Sequence, residues 1–419
     1  MDLSSAFNLL ERYGGNPSDD LAGLRTTGRD SFEKYGLPSR EDELWKYTRL
    51  RGLKDKEFKW SHARGLIKAR EAREHAFDGA HTIFFVDGVL DTALSSLEEV
   101  PEGVSIKNYF SNLEQPLFGD EDRHAFFHLS KAFLYSGLSV RVAKGVKALK
   151  PIHVIYINTS KPDPFCLFPR VQVSMGEMSE LELYESYVGF GKNPEYLSSV
   201  ATEIKLDKGA FLRHFKSQVD TAAAYNIAIN RVKQQAASRY ESVRIVTGGS
   251  LSRDELYVDL QEEGAEAQVS GLLLGESGLQ VDQIVEIRHL APHCSSDQHF
   301  RSIISEAARG VFLGGIKVDR SAVGTVAHQL NKNLLLAPTG EIVTKPQLEI
   351  DTDDVTCSHG ATTGQLSLDQ LFYLQSRGLD RRESELLLSK GFYSTIVEQI
   401  PSGHFKNMVE SVIGERVGK

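Results

Sequence analysis

A short turn built on small residues recurs along the middle of the chain, and it limits the possible folds more than any other feature. It appears at Gly176-Glu177, Lys208-Gly209-Ala210, Gln235-Ala236-Ala237, Glu263-Gly264-Ala265 and Thr339-Gly340-Glu341, mostly about 26–33 residues apart with one long gap. Between turns, apolar and polar residues alternate. Leu181 and Leu183 alternate with Glu180, Glu182 and Tyr184; Ile204 and Leu206 with Glu203, Lys205 and Asp207; Leu256, Val258 and Leu260 with Tyr257, Asp259 and Gln261. A period of two with one apolar face describes a half-buried strand. His81 to Asp87, followed by Gly88, reads as another strand and turn. Strands too short to fold alone, repeated at this interval, suggest a solenoid whose stacked coils bury one continuous apolar stripe. From periodicity alone a β-sandwich or barrel, with strands roughly every 8–12 residues, stays open.

The flanks differ in character. Residues 1–78 read as helical: Leu3, Phe7 and Leu10 share a helical face, and Trp60 to Phe77 is rich in Ala, Arg, Glu and Lys. Gly14-Gly15-Asn16-Pro17 and Gly36-Leu37-Pro38 punctuate that region. Residues 79–364 carry the strands, with a helical interruption expected near Asp122 to Tyr135. Residues 365–419 return to helix. Ser367 to Gln370 fits a capping box, Gly378 ends the first helix, Asp380 to Glu383 opens a second, and Gly391 is expected to separate Phe392 to Ile400 from it.

Composition excludes several functions. Net charge is −9, and no basic stripe suited to nucleic acid is built. The basic run Arg64 to Arg73 is interleaved with Glu71 and followed by Glu74, as on a solvated helix face. No apolar stretch approaches about 20 residues, so no transmembrane helix is expected. The first fifteen residues carry Asp2 and Glu11 without a basic run ahead of an apolar one, which does not read as a secretory leader. The three cysteines, Cys166, Cys294 and Cys357, are far apart, which fits a reducing cytoplasm. They are too few for a self-contained four-cysteine site, so a bound metal requires histidine, carboxylate or a second chain. Gly189-Phe190-Gly191-Lys192-Asn193 lacks P-loop spacing, Gly271 to Gly278 lacks a dinucleotide fingerprint, and neither a GxSxG elbow nor HExxH occurs.

Two cysteine–histidine neighbourhoods are left. His289, His293, Cys294 and His299 are loosely spaced and interrupted by Pro292, which favours a structural role. Cys357-Ser358-His359 is sharper: in a strand, residues i and i+2 project from one face, making thiol and imidazole neighbours. A soft thiolate and an imidazole suit iron or an iron–sulfur cluster, and two donors need a partner chain to complete the site. A buried, satisfied pair is the plainer reading. The acids Glu349, Asp351, Asp353 and Asp354 read as an exposed face rather than as support for a metal.

The blocks Thr344-Lys345-Pro346-Gln347-Leu348-Glu349-Ile350 and Asp353-Asp354-Val355-Thr356-Cys357-Ser358-His359-Gly360-Ala361-Thr362 resemble the C-terminal signature of the SufB/SufD family, on its SufD side. Asp369-Gln370-Leu371-Phe372-Tyr373-Leu374-Gln375-Ser376-Arg377-Gly378 is similar to the helix that follows in that family. Phe312 to Val318, Gln329 to Leu336 and Glu43-Leu44-Trp45-Lys46-Tyr47-Thr48 also match its pattern. The resemblance is dense over about residues 295–395 and sparse before. No N-terminal CxxC of the SufB type is present, and Cys357 to Gly360 stand where SufB chains carry acids around a histidine.

The resemblance implies a mainly β fold, a right-handed parallel β-helix flanked by helical N- and C-terminal regions. It implies a non-catalytic scaffold for iron–sulfur cluster assembly. A SufB-like paralogue pairs with it, and a SufC-like ATPase docks on about residues 366–419. ATP-driven dimerisation of that ATPase then moves the SufB–SufD interface, where a nascent cluster forms. His359 matches the family's interface histidine and Cys357 its neighbouring cysteine, so iron or a cluster is held transiently there and shared with the partner. A flavin accompanies the whole complex, with no residue here to place it. An exposed sheet edge predicts a homodimer when the paralogue is absent. Two other readings stand beside this one. A polysaccharide-acting β-helix enzyme is disfavoured by the lack of a leader and by the C-terminal helices. A purely structural adaptor for the ATPase, without a metal role, is separated only by the behaviour of His359.

Overall fold

The computed structural model describes residues 19–61, 63–97, 100–108, 124–276, 278–401 and 403–417. The readings of Leu3, Phe7 and Leu10 and of Gly14 to Pro17 lie outside these residues.

The chain forms a parallel β-solenoid. Successive strands alternate between two sheets. Tyr225–Gln234, Leu251–Leu260, Gln280–His289, Arg309–Val318 and Glu341–Ile350 lie in a twelve-stranded sheet. Arg239–Thr247, Glu266–Gly275, Ser295–Ile304, Thr325–Leu335 and Val355–Gln365 lie in a ten-stranded one. Each strand pairs in parallel with the strand one coil away. The register Arg239↔Glu266, Glu266↔Ser295 and Ser295↔Val326 gives coils of 27, 29 and 31 residues. Parallel neighbours need a crossover, and here the crossover is the strand of the opposite sheet.

The recurrent turn is a stacked column at one corner. Met178, Gly209, Ala237, Gly264, His293 and Gly324 all adopt positive φ. Each donates its backbone N–H to the turn of the next coil, from Met178 N to Lys208 O through to Gly324 N to Asp354 O. A left-handed alanine or histidine costs roughly 1–2 kcal/mol, offset here by an obligatory backbone bond. Two of these turns fall in the long gap between Gly264 and Thr339. Thr339-Gly340-Glu341 belongs to the opposite corner, where Gly340 N bonds Ala337 O. Counting small residues mixed the two corners and passed over His293.

Inward residues from both sheets, among them Val173, Leu183, Leu212, Leu256, Val285 and Phe300, form the central core. The expected apolar stripe is interrupted by charge. Glu185, Lys216 and Arg244 occupy one inward column through the pairs Glu185↔Lys216 and Lys216↔Arg244. Asp254 faces them from the other sheet. It accepts Lys216 Nζ at 2.6 Å, Arg244 Nη2 at 2.7 Å, Gln283 Nε2 at 2.9 Å and Arg244 Nε. His214 contacts Glu185 at 3.1 Å, and Tyr156 donates to Glu185 at the same distance. Burial alone would raise the Asp254 carboxyl, but Arg244 and Lys216 hold it well below the ordinary range.

The two outer faces are covered. Trp45, Leu53, Phe58, Trp60 and Phe126 pack on the twelve-stranded sheet. There the Arg253 guanidinium lies 3.8 Å from the Trp45 ring, and Thr48 donates to Asp282 at 2.6 Å. The C-terminal helices Arg381–Val397 and His404–Val417 place Tyr393, Ile396, Phe405 and Val409 against Tyr184, Phe215 and Val243 of the ten-stranded sheet. Leu251–Leu260 is consequently buried on both faces rather than half-buried.

Two helical expectations are corrected. Among the described residues of Trp60 to Phe77 only Ala69–Arg73 is helical, while Lys59–Trp60 pairs as a strand with Phe165–Cys166. A side chain at Gly65 would run into the Asp87 carboxylate, so this stretch lies flat against the solenoid. Gly391 does not interrupt its helix, which runs unbroken from Arg381 to Val397. The cost of an interior glycine, about 1 kcal/mol, is outweighed by burial of Tyr393, Ile396 and Val397. The helix Ala125–Ala132 lies within the expected interruption. Ser367 caps Leu368–Ser376 by accepting Gln370 N, and Asp380 with Glu383 forms a reciprocal box.

Asp254→Asn leaves two buried cations short of their counter-charge and is expected to destabilise the chain by about 3–5 kcal/mol in urea unfolding at neutral pH. The native Asp254 carboxyl titrates below its unfolded value, so its contribution is present above about pH 4 and is lost as pH falls further. The gap between wild type and variant should therefore narrow in acid.

Candidate functional site

The last coil of the solenoid is Glu341–Ile350 and Val355–Gln365. Among the described residues, no strand pairs with the outer edge of either. In the ten-stranded sheet Ala327 lies opposite Cys357 and Gln329 opposite His359. Ala327 and Gln329 are buried and point into the solenoid. Register partners in a parallel sheet share a face, so Cys357 and His359 point inward too. With no further coil above them, Cys357 is half-buried and His359 exposed. The two side chains leave the backbone roughly 7 Å apart, two strand rises.

Their surroundings differ. Cys357 packs with Ile316, Val318, Ala327 and Leu348. Burial raises its thiol above the ordinary value, only partly offset by the backbone at Ala327. It is a less ready thiolate than a free cysteine. The His359 imidazole stands at the open end of the coil. Ser358 projects from the opposite face, where its hydroxyl lies 2.8 Å from His328 Nδ1. Among the described residues, no group of three or more His, Cys, Asp or Glu is placed to hold a metal ion. Iron held here therefore needs donors from another chain.

The neighbouring acids are exposed, as expected. Glu349 lies 3.8 Å from Lys317, and Asp351, Asp353 and Asp354 lie in or beside the connection between the last two strands. The other cysteine–histidine group is dispersed. His289 ends a strand, buried against Ser296 Oγ at 2.8 Å, and burial lowers its pKa to about 4. His293 and Cys294 belong to the corner turn, where the Cys294 thiol reaches Glu262 O at 3.3 Å. His299 lies on the following strand beside Arg301, at 3.4 Å. A strand running through His289 to His293 would have placed both on one face, but the turn at Leu290 to Cys294 separates them. Gly189 to Asn193 and Gly271 to Gly278 end strands and enter turns, with positive φ at Gly191, Asn193 and Gly278.

Sequence reasoning passed over the residues beneath His359. Gln329 is buried, and its Nε2 donates to Gln298 Oε1 at 2.7 Å. The only sequence signal for this pair was two glutamines one coil apart on the inward face. A second surface lies on the C-terminal helices, where Leu368, Phe372, Tyr373, Leu386 and Leu387 are exposed. Scattered exposed apolar residues are ordinary, but five on two consecutive helices make a patch.

Of the three cysteines, Cys166 and Cys294 are closed off from solvent and Cys357 is not. With a water-soluble alkylating reagent, mass spectrometry should find Cys357 modified first, and more slowly than an unfolded cysteine. The other two should react only in denaturant.

Two family models match the chain: the SufBD protein N-terminal region over residues 13–154, and the SufBD core domain of SUF-system iron–sulfur cluster assembly over residues 156–392. The chain is 29% identical to an iron–sulfur cluster assembly SufBD family protein of Synechocystis, over 96% of this chain and 92% of that protein. It is 28% identical to the iron–sulfur cluster assembly protein SufD of Escherichia coli, over 92% and 90% respectively. With SufD of Bacillus subtilis it shares 24% identity over 71% and 68%. No helix among the described residues is long and apolar enough to cross a membrane.

Proposed function

The chain belongs to the SufBD family of the SUF iron–sulfur cluster assembly system, and we propose that it is a non-catalytic scaffold subunit. In this reading it pairs with a SufB-type paralogue along its last coil and carries a SufC-type ATPase on its C-terminal helices. The observation that carries the proposal is the open last coil. Among the described residues two strand edges lie unpaired, a core cluster is left half-covered at Leu348, Val355 and Cys357, and an imidazole stands on the same face. Solenoids are soluble only when their terminal repeats are capped, so this end calls for a protein partner. A second β-solenoid edge can extend both sheets and cover the cluster.

His359 then supplies one nitrogen donor to iron or a cluster that passes through the complex as cargo, and the paralogue completes the ligand set. Cys357 supports the site with a thiol that a partner's positive charge or iron itself could ionise. The apolar patch of Leu368, Phe372 and Leu387 offers the ATPase a surface on helices anchored to the ten-stranded sheet. Movement of the ATPase pulls on these helices and is passed to the same sheet that carries His359. In the absence of the paralogue, the open edge pairs with a second copy of this chain.

Removing the C-terminal helices would uncover Tyr184, Phe215 and Val243, so surface variants test the docking more cleanly than truncation. Leu368→Ser with Phe372→Ser should abolish retention of the ATPase in a pull-down while the paralogue is still retained. Loss of both partners, or of neither, would sink this assignment. His359→Ala should leave assembly and the thermal transition unchanged and lower cluster yield in the reconstituted complex by about 10-fold or more. Normal yield would favour the purely structural adaptor.

A further inference from the structure

We infer that Gln329 is a positioning residue for His359, fixing which imidazole nitrogen carries the proton and which presents its lone pair. The inference rests on the reading of His359 as a donor to the cargo, but its geometry stands on a chain of amides inside the last three coils.

The chain starts at a group that can only accept. Gln298 Nε2 donates to the Gly315 carbonyl at 3.1 Å. Since a carbonyl has no proton to give, the Gln298 amide has one possible orientation, with Oε1 turned away from Gly315. That oxygen accepts Gln329 Nε2 at 2.7 Å. The Gln329 amide is oriented in turn, and its Oε1 is left buried with no partner. Gln329 is 3% exposed, and its register partner on the last strand is His359. Both point inward, so the one unused acceptor of the chain lies in the inward column that ends at the imidazole, and no hydrogen bond joins the two in this structure. A buried acceptor without a partner costs roughly 1–3 kcal/mol, which an N–H from His359 would recover. The glycine pair of the facing strand Arg309–Val318 serves the same arrangement: Gly315 supplies the carbonyl, and a Cβ at Gly314 would collide with Gln329 Nε2.

A neutral imidazole has one N–H and one lone pair. If the N–H is committed to Gln329 Oε1, the other nitrogen faces the open end of the coil as a ligand, without the loss incurred by averaging over two tautomers. Gln329 acts through His359 and does not itself touch the cargo.

The test is nitrogen NMR of the chain labelled at its histidines, with the His359 signal assigned by comparison with His359→Gln. At about pH 8 wild type should show a single His359 tautomer. Gln329→Leu should show the averaged pair typical of a solvated imidazole. Gln298→Leu, which frees the Gln329 amide to rotate, should fall between them. In the reconstituted complex Gln329→Leu should lower cluster yield about 10-fold with unchanged partner retention. An averaged wild-type signal, or a Gln329→Leu signal identical to a single-tautomer wild type, overturns the inference. If Gln329→Leu does not fold, the wild-type and Gln298→Leu spectra decide it. Should His359→Ala keep full cluster yield while wild type shows one tautomer, the donor reading fails and the positioning geometry stands.

Discussion

Every interior coil of this solenoid is hydrogen-bonded through its backbone to the coil before and the coil after. That ladder covers the core along its length and leaves it open where the coils stop. At the final strands Glu341–Ile350 and Val355–Gln365, backbone groups on the outer edge and inward side chains lose their cover together. The candidate site, the half-buried Cys357 and the need for a partner all follow from this one constraint. A donor placed one coil earlier, at Gln329, is sealed inside; the same column one coil later is accessible.

The interior serves two purposes along its length. In the middle coils, Asp254 gathers Lys216 and Arg244 opposite the Glu185 and His214 pair. Such clusters contribute little net stability compared with an apolar core, but their directional bonds define one register. A slip of one residue would strand these charges without partners. Towards the open end the Phe300 and Phe312 rings lie tilted with centroids 4.9 Å apart, and the amides of Gln298 and Gln329 succeed the charges. Rigid support of this kind is what a donor residue at an interface requires, because a ligand must be presented in one orientation.

The two helical regions are placed asymmetrically. The N-terminal one is locked over the twelve-stranded sheet by Trp45 on Arg253 and by Thr48 on Asp282. The C-terminal helices lie on the other sheet, with apolar contacts at Tyr393 and Phe405 and an exposed apolar patch beyond. In the proposed assembly, a partner on that patch and a partner on the open coil engage one continuous sheet from two positions. This gives movement at the helices a mechanical route to His359.

The sequence by itself determined the repeat length, the strands of period two, the C-terminal helices and the neighbouring of Cys357 and His359. These depend on period two, on turns at fixed intervals and on short motifs, all local in the chain. It did not reveal that His293 and Gly324 continue the turn column while Thr339 to Glu341 belongs to the other corner. A left-handed histidine carries no signature until backbone bonds to the next coil demand it. Nor did it reveal the Asp254 cluster, whose charged members come from four different strands and stand where a pattern reader expects apolar residues. Only stacking put Gln329 beneath His359, thirty positions away, and oriented its amide through a carbonyl of the opposite sheet. Local chemistry is written in neighbouring residues, but the partner of an inward side chain is chosen by the register between coils, which exists only once the chain has folded.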